Sequence, residues 1–245
     1  MTRNDGREHG QMRPTTIETN VSRYAEGSAR IAVGDTVVLC SATVDERLPH
    51  FLKGSRKGWV TAEYGMLPRS TSDRMTREAS QGRQGGRTLE IQRLIGRSLR
   101  GIMDLESLGE RTIILDCDVI EADGGTRTAS VTGACVALHQ ALTYLVQQEK
   151  IPYHPMRDLV AATSVGILGS EVHLDLCYEE DSRSEVDLNV VMTGSKQYVE
   201  IQGTAEGRPF SGSHLQEMLE AASEGCRTLN KIQRDALGLS PDQAV

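Results

Sequence analysis

The residues best suited to chemistry are two glycine-bearing turns that each carry an arginine. Gly85-Gly86-Arg87-Thr88 and Gly124-Gly125-Thr126-Arg127-Thr128 both stand directly before a run of helical periodicity. A glycine turn entering a helix leaves backbone N–H groups unpartnered at a terminus of partial positive charge, which suits phosphate. An arginine there adds a planar fork of donors that matches phosphate oxygens. Taken singly, each turn reads more readily as an ordinary connection whose glycines serve only the bend, but the repetition favours an anion site. Neither turn continues into Gly-Lys-Ser/Thr, and no Gly-x-Gly-x-x-Gly follows a strand-like run. ATP-loop and dinucleotide readings therefore lack their motif.

A second group is acidic. Asp175, Glu179, Glu180, Asp181, Glu185 and Asp187 lie close together in the chain. Crowded carboxylates repel one another unless a cation compensates, and Mg²⁺ typically takes one or two of them while leaving room for water and substrate phosphate. Asp181 and Asp187 suit that role. Residues 179–185 also read as a solvated hairpin tip, whereas Asp187 sits inside the apolar frame Val186, Leu188 and Val190. The six histidines form no ligand spacing, and no side-chain nucleophile presents itself. A reaction in which bound phosphate attacks needs none, because orientation and charge neutralisation suffice.

Net charge is −7, which by itself argues against a nucleic-acid partner. The distribution argues otherwise. Between positions 53 and 100 eleven basic residues face four acids, so that segment is +7 and the remainder is −14. Aromatic residues are only 4% of the chain, so any grip on nucleic acid is largely ionic rather than built on stacked rings. Five widely spaced cysteines without a CxxC pair, a polar N-terminal stretch and no long apolar run lead to the expectation of a cytoplasmic protein that uses no membrane.

The elements that must position these residues can be read in outline. Residues 29–44 predict a hairpin around Gly34-Asp35. Residues 67–86 predict a long basic loop. Apolar spacing from Leu89 to Ile102 predicts a helix ending near Gly109, and residues 112–120 a buried strand. A second helix carries Val131 to Leu145. Four short strand-like runs, at 160–168, 171–177, 186–192 and 198–201, predict an antiparallel meander. Ser213, three residues before Gln216, predicts the capped start of a C-terminal helix ending near Gly238. The order gives an α+β fold in two similar halves.

Longer motifs carry a family resemblance: CSATVDE from Cys40, GWVTAEYGMLPRST from Gly58, GRTLEIQRLIGRSLR from Gly86, DCDVIEADGGTRTASVTGACVAL from Asp116, DLNVVMTG from Asp187 and EIQGTAEGRPFS from Glu200. In this order, over nearly the whole length, the chain resembles the ribonuclease PH family of phosphorolytic 3′ exoribonucleases, relatives of polynucleotide phosphorylase and the exosome ring subunits.

The resemblance implies a single domain over 1–245 made of duplicated β-α-β lobes, at about 1–110 and 111–245, with mixed sheets packed against helices. It implies a homohexamer, a trimer of dimers. The implied substrates are tRNA precursors and other structured RNA 3′ ends, with inorganic phosphate as co-substrate, nucleoside diphosphates as products and Mg²⁺ as cofactor. By resemblance, Arg87, Gly125, Thr126 and Arg127 bind phosphate, Asp181 and Asp187 are the catalytic and metal-binding acids, and Arg69, Arg74 and Arg77 grip the RNA. A non-catalytic RNA-binding ring subunit is the alternative, and it would be expected to have lost one of these arginines or acids. One departure is local: the family often has Gly-x-Gly-x-Gly before the tryptophan, where this chain has Gly54-Ser55-Arg56-Lys57-Gly58. If the replaced glycine needs a positive φ, the loop is expected to take another path.

Overall fold

The computed structural model describes residues 3–240. Strands β1 (Thr15–Thr19), β2 (Gly27–Val33) and β3 (Thr36–Asp45) run antiparallel, with Gly34 at φ 55° in the β2–β3 turn. β4 (Trp59–Met66) pairs parallel to β5 (Thr112–Glu121), and β5 inserts beside β3, so the first sheet has the order β1-β2-β3-β5-β4. Between β4 and β5 lie α1 (Glu78–Gln81), α2 (Gly86–Gly101) and α3 (Leu105–Leu108).

Helix α4 (Thr126–Gln147) leads to a second sheet. It contains β6 (Val160–Leu168), β7 (Glu171–Leu174), β8 (Val186–Thr193) and β9 (Tyr198–Ala205), in the order β7-β6-β8-β9. Helix α5 (Tyr178–Asp181) bridges β7 and β8, and α6 (Gly212–Leu237) closes the fold. The result is the expected α+β architecture.

Layering follows from where apolar faces can go. α4 is apolar on all sides and packs against β2, β3 and β5 on one side and β6 on the other. It is apolar and long enough to pass as a membrane span, but 78% of its apolar window is buried inside the protein. Strand β6 is buried on both faces: Val160 and Ala162 join the core around α4, and Ala161, Val165 and Ile167 join a second core under α6. In β8 the same alternation turns Val186, Leu188, Val190 and Met192 toward α6, which leaves Asp187 on the side of α4.

Several boundaries differ from the sequence expectation, each for a local reason. α2 stops at Gly101, and the chain from 105 to 108 is the separate α3, capped by the Asp104 carboxylate accepting from the Glu106 and Ser107 N–H groups. The Met103–Met156 bridge and the Asp104 N–H donating to the Pro155 carbonyl pull the chain out of α2. The meander is interrupted, because β6 lies between β7 and β8. The strand expected over 171–177 ends at Leu174, since Asp175 adopts φ 55°. Ser211, not Ser213, caps α6 by accepting from the His214 N–H at 3.1 Å.

Arg56 corrects the loop expectation. It adopts φ 60° itself, beside Gly54 at φ 78°, so the side chain has been accommodated on a left-handed backbone.

Candidate active site

Arg87 and Arg127 occupy equivalent places. Each is the second residue of a helix whose N-cap is a glycine with no side-chain cap, Gly85 for α2 and Gly125 for α4. The first-turn N–H groups of α4 are thus left for an anion, while at the start of α2 the Glu78 carboxylate accepts from the Gly85 N–H at 2.9 Å and the Thr88 hydroxyl at 2.8 Å. Gly124 and Gly125 both adopt left-handed conformations, at φ 73° and 69°. That double turn is what brings the chain sharply from the end of β5 into α4. Thr36 holds the turn from the neighbouring strand: its Oγ1 donates to the Gly124 carbonyl at 2.7 Å and accepts from the Asp123 N–H at 2.8 Å.

The helix N-termini meet the second sheet through β9. Gln202 and Glu200 lie opposite Asn189 and Val191, on the face that Asp187 shares. Arg127 Nη1 donates to Gln202 Oε1 and to Glu90 Oε1 on α2, each at 3.2 Å, and Gln202 Nε2 donates to the same Glu90 oxygen at 3.1 Å. Arg97 of α2 forks onto Glu200 at 2.9 and 2.6 Å. Two helices and a strand distant in sequence are thereby fixed around one arginine.

The acids face this cluster. Asp181, at the end of α5, is solvent-accessible on one side, yet protein crowding on the other raises its pKa, and the positive charges of Arg87 and Arg127 oppose the rise. Asp187 is also raised, by burial first and then by the charges of Asp181 and Glu206, with Arg127 again opposing. Asp181, Asp187, Glu206 and Ser184 line one open groove of about 440 Å³. Tyr64, buried at the end of β4, lies 2.9 Å from Thr126 Oγ1. Burial raises the Tyr64 pKa against that hydrogen bond and the charges of Arg87 and Arg127.

The structure therefore brings Arg87, Gly125, Thr126, Arg127, Asp181 and Asp187 into one neighbourhood. It adds Tyr64, Glu90, Gln202 and Glu206, to which the sequence pattern assigns no role. All four lie within the long motifs, but nothing in their spacing reveals which of them the fold brings to the helix starts. Arg69, Arg74 and Arg77 stand apart, exposed on the segment between β4 and α2. None of the three forms an ion pair among the described residues. Arg69 borders a groove that reaches Ala122 and Asp123, next to the Gly124 turn. The acidic stretch is no simple solvated tip: Glu180 is buried, and Arg3 forks onto its carboxylate with both contacts at 2.7 Å.

The donor set at Asp181 and Asp187 fits a hard divalent cation. Their carboxylates accept from no other side chain among the described residues, and the negative charges of Asp181 and Glu206 bear on Asp187, opposed by its own backbone N–H and by Arg127. Two protein oxygens with open space beside them match the usual demand of Mg²⁺. His9, Glu171 and His173 also bring ligand atoms within 4.8 Å of one another, but the two imidazoles are stacked at 4.4 Å and 16°. Their in-plane nitrogen lone pairs run side by side instead of converging as a tetrahedral ion requires.

Comparison with known proteins identifies the family. Domain 1 of the 3′ exoribonuclease family matches residues 11–142, and domain 2 of that family matches residues 158–225. Ribonuclease PH of Moorella thermoacetica (strain ATCC 39073 / JCM 9320) is 58% identical over 238 residues, covering 97% of this chain and 95% of that protein. Among solved structures, rice (Oryza sativa) Rrp46 matches with a TM-score of 0.78 at 22% identity, over 96% of this chain and all of that one. The Archaeoglobus fulgidus exosome with RNA bound to the active site matches with a TM-score of 0.79 at 22% identity, over 94% of this chain and 91% of that one. These last two likenesses speak to the fold alone. With two family domains in order and a ribonuclease PH relative matched nearly end to end, the chain belongs to the 3′ exoribonuclease family.

Proposed function

We propose that this chain is a phosphate-dependent 3′-to-5′ exoribonuclease that trims tRNA precursors and releases nucleoside diphosphates. The observation that carries the reading is the convergence of Arg87 and Arg127, at two uncapped helix starts, on the pair Asp181 and Asp187. An oxyanion held by the two guanidinium groups and the first-turn N–H groups of Thr126 and its neighbours is neutralised and oriented at once.

In the proposed reaction a phosphate held by Arg87, Gly125, Thr126 and Arg127 directs one oxygen at the terminal phosphorus of the RNA. A P–O bond forms there while the bond from that phosphorus to the preceding 3′ oxygen breaks. The proton carried by the phosphate ends on the leaving 3′ oxygen, so the products are a nucleoside diphosphate and an RNA shorter by one nucleotide. Asp181 and Asp187 are the catalytic pair, lying within the field of the arginines that hold the phosphate. The same two carboxylates would hold Mg²⁺, which when bound would supply charge neutralisation to the phosphates. One phosphodiester is exchanged for one phosphoanhydride, so nucleotide addition is the accessible reverse and phosphate concentration sets direction.

Arg69, Arg74 and Arg77 serve as the RNA grip, supported by their exposure and by the +7 balance of their segment. Assembly as a homohexamer, a trimer of dimers, rests on the family resemblance. Five free thiols, four of them buried, suit a reducing compartment, and we assign the enzyme to the cytoplasm. We read the chain as one domain of two lobes, with the pairing of β5 to β3 and β4 favouring a join after residue 121 over one near 110.

The reading is tested by incubating the protein with a 3′-extended tRNA, with and without phosphate, and identifying the released nucleotide. Nucleoside diphosphates that form only with phosphate are expected. Monophosphates released without phosphate would place the chain among hydrolases instead.

A further inference from the structure

Arg13 is 5% exposed, far from α4 and α5 in sequence, and yet it touches the turns that lead into both. Its Nε and Nη2 fork onto the Asp175 carboxylate at 3.0 and 2.7 Å, and its own backbone N–H donates to the same carboxylate at 2.8 Å. Nη1 donates to the carbonyl of Asp123, immediately before the Gly124-Gly125 turn. The Asp123 side chain in turn accepts from the N–H of Tyr178, the first residue of α5, at 3.2 Å. A closed circuit results, running from the Gly124 turn through Arg13 and Asp175 to α5 and back through Asp123.

Two further observations indicate that this circuit sets a distance. A Cβ at Gly124 would lie 2.7 Å from the Cys177 carbonyl carbon and 2.7 Å from the Leu176 oxygen, so the two main chains are already in van der Waals contact. Asp175 is held at φ 55°, a conformation that persists in a non-glycine residue only when surrounding contacts impose it. Arg13 supplies three of those contacts. Arg3, forked onto Glu180 and donating to the Asp175 carbonyl at 2.8 Å, ties the residue just before Asp181 to the same turn.

We propose that Arg13 is a positioning residue for the reaction: it fixes the interval between the Gly124-Gly125-Thr126-Arg127 turn and the segment that presents Asp181. This rests on the proposed function, in which the first binds phosphate and the second carries a catalytic acid. The role needs an arginine. A lysine retains the charge but offers a point donor in place of a planar fork, so it cannot engage Asp175 in two places and the Asp123 carbonyl together. A displacement of about 1 Å between reacting groups lowers turnover by up to ~10²-fold, whereas RNA gripped elsewhere is unaffected.

The experiment compares Arg13→Lys, Asp123→Ala, Asp123→Asn and Arg127→Ala, measuring kcat and KM for phosphate and for RNA, RNA affinity and melting temperature. Arg13→Lys is expected to lose roughly 10- to 100-fold in kcat per folded enzyme, with RNA affinity within about twofold of the parent. Asp123→Ala, which removes the acceptor for the Tyr178 N–H from a side chain 35% exposed, should lose kcat in the same way. Asp123→Asn, which keeps an acceptor oxygen, should recover most of it. A role confined to stability would lower the melting temperature and leave kcat per folded molecule unchanged, and the Asn and Ala variants would not separate. If Arg13→Lys fails to fold, the Asp123 pair decides alone. Full turnover in Arg13→Lys and Asp123→Ala beside an inactive Arg127→Ala would overturn the positioning role only; full turnover in all of them would remove the phosphate-site reading beneath it.

Discussion

The charge of Asp181 raises the pKa of Asp187, and Arg127 pulls both carboxylates the other way. Burial is the larger cause of each rise, so the folded protein holds these two groups against their preference for ionisation. A group whose folded pKa is raised above its unfolded value destabilises the fold at pH values where it is charged, and that penalty fades as pH falls through the folded pKa. In buffer free of divalent metal, Asp187→Asn is therefore expected to raise the melting temperature at neutral pH, with the gain disappearing in acid below the carboxylate range. Turnover should fall by ~10²-fold or more, as for loss of a group acting directly on the reacting centre. Thermal unfolding across pH, paired with single-turnover rates, checks both halves. A variant less stable at neutral pH would contradict the electrostatic account.

Gly124 admits no side chain. Its φ is 73°, and a methyl group placed there would meet the main chain of residues 176–178 at 2.7 to 2.8 Å, so that only backbone could move to make room. Gly124→Ala should destabilise by about 1–3 kcal/mol through the strained conformation alone. It should also lower kcat by separating the α4 turn from α5. Urea unfolding and initial rates test this, and an alanine variant with parental stability would mean that the two turns are not in contact.

Arg56 sits where a glycine would be at ease. Replacing it, as Arg56→Gly, relieves a left-handed conformation disfavoured by roughly 1–2 kcal/mol in non-glycine residues, offset by the greater freedom of glycine in the unfolded chain. The expected net change is stabilising or neutral, within about 1 kcal/mol, and is read from the urea midpoint. Activity on short RNA should not change. A marked loss of stability would indicate that the Arg56 side chain makes contacts worth more than the strain.

The basic segment predicts a salt effect. Each phosphate neutralised contributes about 0.7 to the slope of log K against log salt for single strands and about 0.9 for duplex. Neutralising Arg69, Arg74 and Arg77 together should flatten the slope by roughly 2–3 if each meets one phosphate. Fluorescence anisotropy on a 3′-extended tRNA over a range of salt measures it, and an unaltered slope would place the RNA elsewhere.

Much of the fold is local enough to be read from sequence. The β2–β3 hairpin follows from Gly34-Asp35, and the helical starts at Arg87 and Arg127 follow from glycines before apolar periodicity. The pairing of Arg127 with Glu90 and Gln202 could not be read, because it depends on β9 packing across two helix termini that lie 75 and 112 residues away along the chain. The same holds for Glu180: charge pattern suggests solvent, and only the docking of Arg3 from the N-terminal segment explains its burial. Asp175 ends the expected 171–177 strand early for a similar reason: at its left-handed backbone it is bonded by Arg3, Arg7 and Arg13, all from the distant N-terminal segment.

The most direct test of the central claim is the phosphate dependence of turnover in Arg127→Ala. At saturating RNA, kcat/KM for phosphate is expected to fall by ~10²- to 10³-fold, the loss typical of removing a donor aimed at developing charge. RNA affinity and the folded state should be retained. A phosphate saturation curve that overlays the parent's would contradict the account, because the oxyanion would then be held without the arginine around which this site is built.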